Sequence, residues 1–146
     1  MLTAAAIARA LGVLLASEQL GLGFDARVLV SQPVPLGAGA VGELSLTILD
    51  TPAAIAPLSL RLGSHAVALP ETRLGEADVV DPQASQPRIR ARYVAPSTPG
   101  RYEVEGLVEY VTCRSSPGAP EAARCRPRRA RVVWVIQVID APPAGP

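Results

Sequence analysis

Hydrophobic and polar positions alternate with a period of two over most of the chain, which predicts strands that bury one face. Phe24, Ala26, Val28 and Val30 alternate with Asp25, Arg27 and Leu29 as a first strand. Pro33-Val34-Pro35 and the glycines from Gly37 to Gly42 break it. Leu44, Leu46 and Ile48 alternate with Glu43, Ser45 and Thr47, and Asp50-Thr51-Pro52 ends that run. Leu58, Leu60 and Leu62 alternate with Ser59 and Arg61, and Gly63-Ser64 reads as a turn into His65 to Leu69. Pro70 to Pro87 is polar, carries Glu71, Glu76, Asp78 and Asp81, and reads as a long surface connection with room for one short strand.

Ile89, Ala91 and Tyr93 alternate with Arg88, Arg90 and Arg92, and Ser97-Thr98-Pro99-Gly100 turns the chain. Tyr102, Val104, Gly106, Val108 and Tyr110 then alternate with Glu103, Glu105 and Glu109, the clearest two-faced strand. Val132 to Ile139 is apolar on both faces, which predicts a central strand, and Pro142-Pro143 closes the fold. About seven short strands between proline and glycine turns, with no internal repeat or heptad, predict an all-β, immunoglobulin-like antiparallel β-sandwich. The run from Pro99 to Gly106 resembles the start of a late strand in many immunoglobulin-like modules, where a tyrosine bonds back to the backbone to close a corner. Tyr102 is either that corner or a half-buried core residue.

The first residues follow a different period. Met1 to Leu15 is apolar apart from Thr3 and Arg9, and Ile7, Leu11, Leu14 and Leu15 fall on one helical face. Two readings stand: a short amphipathic helix that is retained, or a secretory signal with Ala16-Ser17 as its small-residue exit. The run is too short for a membrane span, and Arg9 interrupts it; membrane association through residues 1–17 is compatible with both. The expected organisation is a signal-like or amphipathic segment over 1–22, the sandwich over 23–140 and a flexible tail over 141–146.

Composition narrows the chemistry. Hydrophobic residues make up 49% of the chain and aromatics only 3%, so the core is built from Val, Leu, Ile and Ala. With 15 prolines and 12 glycines the chain is too often interrupted for a helical bundle, and it is too apolar for disorder. A net charge of +1 argues against nucleic acid as partner. One His, one Met and two Cys are too few for a protein-only zinc or copper site. No glycine-rich loop has the phosphate-binding pattern, so neither a metal nor a cofactor is expected. Ser64-His65 lacks an acid and sits in a turn, which sets a serine hydrolase aside. The glutamates of the two-faced strand read as a solvated face, and Trp134 as core.

Candidate chemistry gathers at the last hairpin. Tyr110-Val111-Thr112-Cys113 leaves one strand and Cys125-Arg126-Pro127 leads into the next. Pairing of these strands brings the cysteines within disulfide range while residues 114–124 bulge outward. Arg114 and Arg124 flank the pair, Arg126, Arg128, Arg129 and Arg131 follow, and Glu121 is the single acid among them. Cationic neighbours favour a thiolate and hence exchange. Plainer readings use the same residues. The disulfide staples a long loop, contributing about 3 kcal/mol, and the arginines keep an edge strand from aggregating or meet acidic lipid or protein.

The sequence VEGLVEYVTC…CRPRRARVVWVIQV resembles the N-terminal periplasmic domain of the thiol:disulfide interchange protein DsbD family, over Tyr102 to Val138. In that family an immunoglobulin-like sandwich carries its redox cysteines on a late hairpin, as aromatic-x-x-Cys followed by Cys-x-Pro. The matching positions are Tyr110, Cys113, Cys125 and Pro127. The resemblance implies that Cys113 and Cys125 accept electrons from a membrane partner and pass them to periplasmic thiol proteins. The segment between the cysteines departs from the family's short loop: it has eleven residues, two prolines and no aromatic.

The first expectation is therefore an exported domain, periplasmic or extracellular, with Cys113 and Cys125 as a redox pair. Tyr110, Arg114, Arg124, Arg126 and Pro127 are its binding positions toward a thiol protein or membrane complex. The second is a non-catalytic sandwich, an accessory subunit or binding module of a membrane or cell-surface complex, whose disulfide is purely structural.

Overall fold

Eight strands form two sheets around a shared apolar layer. The computed structural model describes residues 26–54, 56–114, 118 and 125–140. The smaller sheet contains β1 (Val28–Ser31), β3 (Val41–Ile48) and β6 (Arg88–Val94), in the order β1-β3-β6. The larger contains β2 (Leu36–Gly37), β4 (Ser59–Gly63), β5 (Arg73–Leu74), β7 (Gly100–Cys113) and β8 (Cys125–Ile139), in the order β2-β8-β7-β4-β5. After β1 the chain passes Pro33-Val34-Pro35, which cannot continue a ladder, and joins the other sheet as β2. A first strand divided between two sheets, with the last two strands paired beside β4, is an immunoglobulin-like arrangement.

The period-two pattern is fulfilled residue by residue. Leu44, Leu46 and Ile48 of β3, Ile89, Ala91 and Tyr93 of β6, and Val132, Trp134, Ile136 and Val138 of β8 are all buried. No polar residue is buried among the described ones. Each fully buried aliphatic side chain contributes about 1.5–3 kcal/mol. Because both cysteines lie in one hairpin, no disulfide links the sheets, and this layer holds them together. Trp134 Nε1 adds a bond across it, donating to the Ser45 carbonyl at 3.1 Å. Gly106 sits under the Trp134 ring, where an added Cβ would come within 2.8 Å of it.

Several expectations change. The described residues form eight strands, in line with the expected seven or so, but β2 runs parallel to β8, so the sandwich is not wholly antiparallel. His65 to Leu69 forms no strand; only Ala68 makes a bridge, to Val94. The cause is Ser64, whose Oγ donates to Glu103 O at 2.7 Å and accepts from the Val67 N–H at 3.1 Å, folding the segment into a loop. The connection after Pro70 holds β5 and one 3-10 turn at Glu76–Asp78. Val132 to Ile139 lies between β2 and β7 as an interior strand, but its flank toward β2 is only thinly covered. Among the described residues, the hydrogen bonds on that flank come from the two-residue β2 and the side chain of Gln32. Val133 and Val135 are accordingly half-buried, and Ile139 is 49% exposed. Tyr102 forms the corner, its hydroxyl donating to Thr98 O at 2.6 Å. The expected N-terminal helix or signal, Phe24, Arg124 and the tail lie outside the described residues.

Candidate functional site

The last hairpin is a register-perfect ribbon from Gly100↔Val138 to Cys113↔Cys125. Its alternation is unbroken, so the inward Val108 and Tyr110 fix the direction of every later residue. Cys113 and Cys125 close the ribbon as directly opposed residues, joined by a disulfide with 4.0 Å between Cα atoms. Cys113 is exposed and Cys125 half-buried. β4 pairs with β7 only as far as Ser59↔Glu109. Past that point β7 is met on this flank by the Ala53 N–H, which donates to Val111 O at 2.7 Å. The disulfide thus sits on a projecting tip, away from the apolar layer.

The structure divides the expected site residues. Cys113, Cys125 and Pro127 share the outer face of the larger sheet, Pro127 opposite Val111 one row behind the cysteines. Arg126 pairs with Thr112 and so takes the opposite face of the ribbon. On that same face Arg128 Nε donates to Thr112 Oγ1 at 2.9 Å, bracing the tip. Arg114 and Arg126 are exposed. Tyr110, three residues before Cys113, points into the sandwich and is 2% exposed. Its hydroxyl donates to Asp50 Oδ2 at 2.6 Å and accepts the Arg27 N–H at 3.0 Å. Burial first, then the Asp50 carboxylate, push the phenol's pKa far above its ordinary range. Tyr110 therefore secures the base of the tip rather than touching the disulfide.

Charge on the outer face is partly balanced. Glu109 accepts from Arg61 at 3.1 Å and pairs with Arg129 at 3.6 Å, one row behind Val111 and Pro127. Arg131 has no acidic partner among the described residues. Three residues that matter here carry no sequence signal: Gln32, Asp50 and Thr112 act through contacts between segments far apart in the chain or across a ribbon. Among the described residues no group of His, Cys, Asp or Glu could hold a metal ion, and no helix is long and apolar enough to cross a membrane.

No family model, curated protein or solved structure matches the chain. What fold and site define is a class: an immunoglobulin-like sandwich whose last hairpin is closed by an accessible disulfide. Such a bond marks an oxidising environment.

Proposed function

We propose that the protein is an exported immunoglobulin-like domain that exchanges electrons through Cys113 and Cys125, as in the DsbD-type periplasmic domain that its last hairpin resembles. The observation that carries this reading is the position of the bond, on a solvent-facing tip with Cys113 exposed. A thiolate of a dithiol partner attacks the Sγ of Cys113, the more exposed of the two residues; the disulfide breaks and Cys125 leaves as a thiolate. The partner's second thiolate resolves the mixed disulfide, so the partner is oxidised by two electrons and the domain is left as a dithiol. A disulfide-bearing acceptor protein reoxidises it by the reverse sequence.

The measurement is the reduction potential of the pair, read by alkylation and mass after equilibration in glutathione buffers. A potential well above about −300 mV supports exchange. A value below that line assigns the bond to stapling the loop, and the domain to the non-catalytic class of accessory or binding modules.

A further inference from the structure

Among the described residues no strand pairs with the flank of β8 that faces away from β7 between Pro127 and Val133, and its hydrogen-bonding pattern is defined. Gln32 reveals which groups face outward there. Its Nε2 donates to Val133 O at 3.2 Å, and its Oε1 accepts from the Val135 N–H at 2.8 Å. A carboxamide offers the donor and acceptor of a peptide group, so Gln32 occupies the place of a neighbouring strand. Val133 and Val135 therefore turn their backbone groups away from β7. The β7–β8 register is unbroken, so Arg131, Arg129 and Pro127 do the same. Among the described residues Val133 O and the Val135 N–H meet Gln32, and no other outward group from Pro127 to Val133 meets a partner. The open set is the Val133 N–H, both backbone groups of Arg131 and Arg129, and the Pro127 carbonyl. Pro127 has no N–H to leave unpaired, which gives the edge a natural end.

The side chains beside this edge select what pairs with it. Arg129 and Arg131 project on the outer face, and Arg128 lies on the other side of the strand. Two copies of β8 meeting edge to edge would set arginine against arginine, which opposes self-pairing. An added strand with acidic residues at alternate positions would instead place carboxylates beside Arg129 and Arg131. The geometry points to strand addition at Pro127–Val133 by an extended segment of a protein partner, with acidic residues alternating with apolar ones. Backbone bonds provide the attachment and the arginines the selectivity. This site is separate from the disulfide and operates with the bond intact.

The test titrates the isotopically labelled protein with an acetylated hexapeptide of alternating valine and glutamate, and in parallel with its valine–lysine counterpart. Binding of the glutamate peptide, with new exchange protection at the Arg129, Arg131 and Val133 N–H groups, supports the proposal. Arg131→Glu weakens that binding about tenfold, the size of one close charge pair. Arg131→Pro removes the outward N–H without touching the β7 ladder and abolishes it. Equal binding of both peptides, or protection at other amides, overturns the proposal. So does protection of these amides that depends on protein concentration in the absence of peptide, since that is pairing with a second copy. The two-peptide comparison on the unaltered protein decides the matter even if a variant fails to fold.

Discussion

Tyr110 on β7 and Asp50, just past the end of β3, share a 2.6 Å hydrogen bond that ties the larger sheet to the smaller at the base of the projecting hairpin. The same oxygen accepts the Arg27 N–H, so one phenol joins β7 to the residue before β1 and to the residue near the end of β3. The arrangement requires a protonated phenol, because a tyrosinate would face the Asp50 carboxylate.

Tyr110→Phe removes the donor and leaves the Arg27 N–H without its acceptor, at a cost of about 1–3 kcal/mol in denaturant unfolding. The pH dependence follows from the direction of the shift. The folded pKa lies above the ordinary 10.0, so the contribution is complete below that pH and is lost as pH rises beyond it. The unaltered protein should lose stability above pH 10 more steeply than Tyr110→Phe; parallel curves would refute the assignment. Tyr93, raised by burial, leaves a smaller slope in both.

Gly106→Ala places a methyl 2.8 Å from the Trp134 ring and 2.9 Å from Val132. Overpacking of this kind costs about 1–3 kcal/mol. Trp134 is the only tryptophan, so its fluorescence maximum reports the displacement directly. An unchanged spectrum and midpoint would show that the ring does not rest on Gly106.

Gln32→Ala opens the β8 edge without touching the core. The Val135 N–H should exchange faster while the melting temperature stays nearly unchanged, because the freed groups meet water. A large drop in melting temperature would mean that Gln32 holds β1 to β8 rather than covering an edge.

Replacing both cysteines by serine should leave the sandwich folded, with stability lower by about 3 kcal/mol. Amide exchange should rise near Cys113, Cys125 and Pro127 and stay slow in β3 and β6. Global unfolding would place the bond among the fold's principal supports, against its position outside the apolar layer.

The sheets were legible because alternation reports one buried face directly: Leu44, Leu46 and Ile48, or Ile89, Ala91 and Tyr93, could not face water together. The facing cysteines were legible because a hairpin of matched strands leaves them little other place to go. Val132 to Ile139 is interior as its composition suggests, but composition does not show that its outer valines are only half-covered on the flank toward β2. Tyr110 misled: a spacing of three along a strand puts it on the face opposite Cys113. Gln32 and Asp50 contact residues 101 and 60 positions away, and nothing local in a sequence announces such pairs.

The hairpin carries one more consequence. Its β7 strand is 14 residues long, but its flank is laddered by β4 only to Glu109, so it behaves as a cantilever clamped at Tyr110. Load applied at the tip passes through the Arg128–Thr112 and Ala53–Val111 bonds before it reaches the clamp. The footing of the tip is therefore set from outside the hairpin, by Asp50, Ala53 and Arg27.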